Sequence, residues 1–121
     1  MPVRTFQLGR KGERIAVRLL KSLQLSIREL NFRCSFGEID IIAEDKGVIV
    51  FVEVKTRSNA NYGLPEEAVD YSKQKKLSQV ALFYLQKEQL EDRMCRFDVI
   101  SIIMKKNKIE RVAHIIDAFS A

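Results

Sequence analysis

Two runs rich in β-branched residues, Gly37 to Glu44 and Val48 to Lys55, flank an Asp45-Lys46-Gly47 break. That pattern commits the middle of the chain to an antiparallel hairpin. With Lys46-Gly47 as a two-residue loop, Asp45 pairs with Val48, Asp40 falls opposite Glu53, and Glu38 falls opposite Lys55. Strand side chains alternate between faces, so this register puts Glu38, Asp40, Glu53 and Lys55 on one face, with opposed Cβ atoms about 5 Å apart. Ile42, Phe51 and Ile49 share that face, and Ile39, Ile41, Val50, Val52 and Val54 occupy the other. A strand pair apolar on both faces is covered on both sides, which leaves its carboxylates at the rim of a cleft.

Like charges directly opposite in a ladder repel, so Asp40 facing Glu53 calls for a compensating cation. Mg²⁺ suits the position, since it takes hard oxygen ligands, commonly one or two carboxylates, and keeps several waters. The bland alternative is a solvated polar face with Lys55 neutralising its neighbours. It is the better explanation of an isolated pattern of this kind, and the apolar residues on both faces weaken it here.

The 121 residues suffice for one domain with one core, spanning 1–121, that buries roughly two-thirds of its unfolded surface. The longest uninterrupted apolar run, Val48 to Val52, is far too short for a bilayer. The basic N-terminus lacks an apolar stretch of signal-peptide length, and the reading is cytoplasmic with no membrane association. Cys34 and Cys95 are far apart and His114 is the sole histidine, which disfavours a zinc site or a disulfide framework. His114 sits in an apolar segment and reads as a packed strand residue. Charge is uneven: Arg4, Arg10, Lys11, Arg14, Arg18 and Lys21 stand against Glu13 alone, and this segment carries the whole net charge of +5. One basic segment on a neutral body suggests a face for a polyanion, nucleic acid above all, against the plainer reading of a solvated helix face. No aromatic cluster accompanies it, so single-strand or sequence-specific recognition is not indicated.

Gly9 to Leu23 is helical by period, with Ala16, Leu19, Leu20 and Leu23 on one stripe and Glu13 extending it backwards. A short strand follows at Leu25 to Phe32, then a turn at Ser35 to Gly37 and the hairpin; Thr56 to Gly63 reads as a loop. Pro65, with Glu66 and Glu67, suits the first turn of a helix running to about Gln89. Its stripe takes Val69, Leu77, Val80, Ala81 and Tyr84, with Lys73 inward. Strands at Arg96 to Ile103 and Ile109 to Ala118 complete an order α, β, β, β, α, β, β. The crossover through the long helix makes one strand pair parallel, so the sheet is mixed and the class α/β.

Gly12-Glu13, Asn31-Phe32-Arg33, Gly37-Glu38-Ile39-Asp40, Phe51-Val52-Glu53-Val54-Lys55-Thr56-Arg57, Gly63-x-Pro65-Glu66-Glu67-Ala68-Val69 with Lys73, and Arg96-Phe97-Asp98-Val99 closely resemble the signature blocks of the small bacterial YraN-like family. The resemblance covers nearly the whole chain in the right order. That family is similar in turn to archaeal Holliday-junction resolvases and to the PD-(D/E)xK restriction-endonuclease-like superfamily. The resemblance implies an αβββαβ core with a mixed central sheet flanked by helices. It implies that Asp40 and Glu53 bind metal, that Lys55 acts on the attacking water, and that Glu13 assists from the first helix. Ile39 stands where the superfamily's name has Pro.

The resulting expectation is a Mg²⁺- or Mn²⁺-dependent endonuclease acting on DNA, with the metal held by Asp40, Glu53 and the Val54 carbonyl. Two adjacent carboxylates should keep Lys55 protonated, so that it orients water and neutralises phosphate charge. Glu13 would complete a second metal position or accept a proton. Glu38 is a neighbour of the site through its inferred partner Lys55, and Lys73 contacts a phosphate or pairs with Glu38 or Asp98. Arg10, Lys11, Arg14, Arg18 and Arg57 are the candidate nucleic-acid contacts. The rival readings are a non-catalytic nucleic-acid-binding or scaffold protein that keeps the nuclease fold, and a nuclease acting on RNA. Cutting two strands of a junction needs two active sites, most simply a C₂ homodimer, for which the apolar C-terminal strand offers an edge.

Overall fold

The computed structural model describes residues 3–58 and 69–120, with side chains from residue 9 onward. Among the described residues seven elements follow in the expected order: α1 (Val3–Ser22), β1 (Ser26–Cys34), β2 (Gly37–Asp45), β3 (Val48–Arg57), α2 (Tyr71–Lys87), β4 (Cys95–Lys105) and β5 (Lys108–Phe119). The five strands form one mixed sheet in the order β1-β2-β3-β4-β5. Only β3 and β4 are parallel, joined through α2, and all other neighbours are antiparallel. Among the described residues no helix is long and apolar enough to cross a membrane.

The hairpin register is the expected one, from Asp45 opposite Val48 to Ile41 opposite Val52. Lys46 and Gly47 both have positive φ, 50° and 88°, the backbone of a type I′ loop whose twist matches the strands it joins. Lys106 and Asn107 repeat the device between β4 and β5, with φ of 49° and 65°.

One helix covers each face, giving three layers. Ala16, Leu20 and Leu25 pack on Ile41, Ala43, Val50, Val52, Ile100 and Ile102. On the other side Leu77, Val80, Ala81, Tyr84 and Leu85 pack on Phe32, Ile42, Ile49, Phe51, Phe97 and Val99. Buried from both sides, β3 accordingly reads as a continuous apolar run.

Ile39 breaks the expected alternation. It packs in the α2-side cluster with Phe32, its partner in β1, whereas Ile41 two residues on packs on the α1 side. The cause lies in Asn31, which has φ of 53° within β1. A left-handed residue inside a strand reverses the faces that follow it, and Asn is among the few residues that tolerate this. The β1–β2 ribbon therefore turns over at Asn31 and Asp40.

The helix boundaries also differ. The apolar stripe of α1 ends at Leu20, since Leu23 is half exposed. Pro65, Glu66 and Glu67 lie outside the described residues. Val69 and Asp70 are not helical, so α2 begins at Tyr71, after Asp70, whose Oδ1 accepts a hydrogen bond from the Lys73 N–H at 2.9 Å. Thr56 and Arg57, expected in a loop, continue β3 opposite Ile102 and Ile103 of β4.

Candidate active site

Pairing between β2 and β3 stops at Ile41 opposite Val52. Beyond it β3 stays with β4 as far as Arg57, while β2 stays with β1 back to Gly37, so the sheet forks at the level of Asp40 and Glu53. Asp40 Oδ2 accepts a hydrogen bond from the Val54 N–H at 2.8 Å, which turns its carboxyl along the sheet into the fork. The N–H and C=O of an extended residue point to the same edge, so the Val54 carbonyl faces the fork as well.

Glu53 is buried and within hydrogen-bond reach of Asp40. Burial first, then the hydrogen bond and charge of Glu53, push Asp40 up to about 8, against the opposing pull of the Val54 N–H. Asp40 thereby keeps its proton well above the ordinary carboxylate range. Lys73 reaches over from α2 to form an ion pair with Glu53 Oε2, yet that oxygen receives no hydrogen bond of ordinary geometry.

Lys55, half-buried at the same end of β3, lies within hydrogen-bond reach of Lys73. Its ammonium is held below the usual lysine range by burial and by Lys73, although Glu53 and Asp40 pull the other way. The expectation that the carboxylates would dominate fails because burial and, after it, a second lysine sharing the site outweigh them. Lys73 itself is raised, since its contacts with Glu53 outweigh burial. Its partner is Glu53 and not Glu38 or Asp98.

Glu38 does not face Lys55. The fork parts them, and Glu38 pairs instead with Arg33 at 3.4 Å. With its amide nitrogen turned toward the acids, Asn31 donates to Glu38 Oε1 and to Glu13 Oε1, each at 3.2 Å. Glu13 is raised chiefly by burial, which Asn31 opposes and the charge of Glu38 reinforces. Sequence reasoning passed over Asn31 as a site residue. Its signal was an amide in mid-strand, where β-branched residues are the norm.

Gly12 sets the position of Glu13. A Cβ at residue 12 would overlap Thr56 Oγ1, so glycine is what lets α1 lie directly against the end of β3. Glu13 is felt electrostatically by Asp40 but does not join it: among the described residues no three His, Cys, Asp or Glu side chains gather as a metal cluster. A divalent ion in the fork would thus have two carboxylates and not three. That suits Mg²⁺ or Mn²⁺, which complete their shell with carbonyl and water oxygens.

The basic face divides. Arg10, Arg14, Arg18 and Lys21 line a groove of about 480 Å³ between α1 and β1, floored by Val17 and Leu30 and reaching Glu13 and Asn31. Lys11 is turned away and donates to Asn107 Oδ1 in the β4–β5 turn. Arg57 ends β3.

A second polar cluster lies elsewhere on the sheet. Asp98, fully buried, accepts from Arg96 Nε at 3.0 Å and Nη2 at 3.3 Å and from the Asp117 N–H at 3.0 Å, and shares a 2.9 Å hydrogen bond with His114 Nε2. Arg96 also pairs with Asp45 at 3.1 Å. His114 is thus a packed strand residue with a buried partner.

Residues 12–102 match the family model described as Uncharacterised protein family UPF0102. The chain is similar to the UPF0102 protein of Geotalea daltonii, 50% identical over 112 residues that cover 93% of this chain and 88% of that one. A second such relative, from Caldanaerobacter subterraneus, is 45% identical over 93% of each chain. A third, from Geobacter metallireducens, is 46% identical over 98% of this chain and 97% of its own.

Proposed function

The chain belongs to the UPF0102 family, and we propose that it is a metal-dependent nuclease hydrolysing phosphodiester bonds in DNA. The observation that carries the reading is the Asp40–Glu53 pair, two acids brought together at a fork with a lysine at the end of the same strand. A scaffold has no need of such a pair, which opposes folding unless something positive joins it.

Asp40, Glu53 and the Val54 carbonyl would hold the ion through hard oxygens at the fork, a donor set that fits Mg²⁺ or Mn²⁺. When bound, such an ion polarises a phosphoryl oxygen and lowers the pKa of a water. The chain's own residues do the rest. Lys55, held below the usual lysine range, sits where it can orient the attacking water and take its proton. The water oxygen then bonds to phosphorus as the ester P–O bond breaks and the departing oxygen takes up a proton. Asn31 fixes Glu13 and Glu38 beside this centre, and the groove of Arg10, Arg14, Arg18 and Lys21 leads a phosphate backbone toward it.

The test is cleavage of end-labelled four-way junction, duplex DNA and RNA by the purified protein with Mn²⁺, Mg²⁺ or EDTA. We expect metal-dependent cleavage of DNA that Asp40→Asn, Glu53→Gln and Lys55→Met each reduce at least about a hundredfold. Binding without cleavage under every metal condition would identify a nucleic-acid-binding protein, and cleavage confined to RNA would reassign the substrate.

A further inference from the structure

We propose that Lys73 is a built-in substitute for the divalent ion: its ammonium neutralises Glu53 while the site is metal-free and is displaced toward solvent and the substrate phosphate when metal binds. The proposal rests on reading Asp40 and Glu53 as metal ligands, and goes beyond it by giving the second lysine a distinct task.

The two ends of the ion pair differ in freedom. The Glu53 side chain is 7% exposed and comes from a strand buried on both faces, whereas Lys73 is 39% exposed. The Lys73 backbone is fixed by the Asp70 cap, but its four-carbon stem is flexible and has a route to water. The carboxylate is the fixed partner and the lysine the mobile one.

Charge decides which group leaves. In the metal-free fork, Asp40 and Glu53 face Lys55 and Lys73, two acids against two amines within reach of one another. A dication entering the fork adds positive charge to a partly desolvated space that already holds the Lys73 ammonium. Lys55 belongs to the end of β3 and is held by the strand that carries Glu53. Lys73, on the first turn of α2 with a partly exposed side chain, is the cation free to move. An arriving phosphodiester supplies negative charge at the same rim, so the displaced ammonium acquires a partner there. The arrangement neutralises the buried Glu53 before metal arrives, and couples loss of the internal counter-ion to presentation of a phosphate-binding one.

Lysine acetylation of the wild-type protein, read by peptide mass spectrometry with and without saturating Mn²⁺, tests the displacement directly. Labelling of Lys73 is expected to rise severalfold on metal addition, while that of exposed Lys76 on the same helix stays constant. Unchanged or reduced labelling of Lys73 with Mn²⁺ bound overturns the proposal. Calorimetry supplies a second arm. Lys73→Met should raise Mn²⁺ affinity roughly fivefold over the matched neutralisation Lys76→Met, the order of one partly exposed ion pair removed from competition. Lys73→Arg should not. Equal affinities in the two Met variants refute displacement while leaving the metal site standing. Absence of Mn²⁺ binding in wild type and both variants removes the metal reading itself, and the proposal with it.

Discussion

Asp98 and the Asp40–Glu53 pair are acids drawn into the same sheet and treated in opposite ways. Asp98 is surrounded by the Arg96 guanidinium, His114 and the Asp117 N–H, and these contacts hold it below the usual carboxylate range despite burial. Asp40 has one backbone donor and an acid for a neighbour, and is pushed up to about 8. The first arrangement is complete without any ligand and ties β4, β5 and the β2–β3 turn together. The second is complete only when something positive is added. Burial alone therefore does not mark a functional acid; the absence of enough donors does.

The largest effect that would break this contrast is at Asp98. Asp98→Ala leaves Arg96 and His114 facing a vacated buried site, and should lower stability by about 3–5 kcal/mol in urea unfolding. A loss below about 1 kcal/mol would show that the cluster is not the structural counterpart of the fork.

Asp40→Asn should act with the opposite sign. The amide can still accept from the Val54 N–H while removing the repulsion, so the metal-free protein should gain about 1–3 kcal/mol and lose its thermal response to Mn²⁺. The gain should depend on pH. Asp40 rises from its ordinary 3.8 to about 8, so between those values the folded state holds a proton that the unfolded chain has released. Its contribution is fully present below about pH 4 and is lost as pH climbs through about 8. Wild type should accordingly weaken across this window relative to Asp40→Asn. Mn²⁺ must displace that proton, so its affinity should climb over the same range. A pH-independent gap between the two proteins would mean that Asp40 titrates normally.

Gly12→Ala comes next, at about 1–3 kcal/mol, because the new methyl meets Thr56 at the end of β3. It sharpens the comparison by loosening α1 from the fork while leaving the Asp98 cluster intact. Mn²⁺-dependent cleavage should fall by more than the stability loss accounts for, whereas Gly9→Ala, inside α1 with open space around it, should leave cleavage unchanged and raise stability by about 0.5–1 kcal/mol.

What the sequence made legible follows from which forces are local. The register from Asp45 opposite Val48 to Ile41 opposite Val52 needs only alternation and a two-residue loop, and the Asp40–Glu53 encounter follows from it. The fork is not legible, because strict alternation continues the ladder past Asp40, where the β2–β3 pairing has already stopped. Asn31 reverses the faces of β1, sends Ile39 to the α2 side and leaves Glu38 with Arg33. The identity of Lys73's partner depended on where α2 begins. Asp70, three residues before Lys73, caps α2 through the Lys73 N–H, whereas Pro65 points to an earlier start. Asp98 met His114 only through the β4–β5 pairing, a contact that no local pattern announces.

The smallest effect on stability should come from the α1–β1 groove, and there the change belongs in binding. Arg14 and Arg18 are exposed and line the groove that reaches Glu13 and Asn31, so the double charge reversal Arg14→Glu, Arg18→Glu should alter unfolding by less than about 0.5 kcal/mol. Each phosphate neutralised adds about 0.9 to the slope of log affinity against log salt. Two lost contacts should therefore lower the slope by nearly two and weaken DNA binding most at low salt, while Mn²⁺ binding at the fork is retained. Lys11→Glu serves as the internal comparison, because Lys11 is engaged with Asn107 and does not line the groove; it should leave the slope closer to wild type. If the double variant binds DNA with the wild-type slope, the backbone does not follow α1, and the track must approach the fork from the Arg57 end of β3.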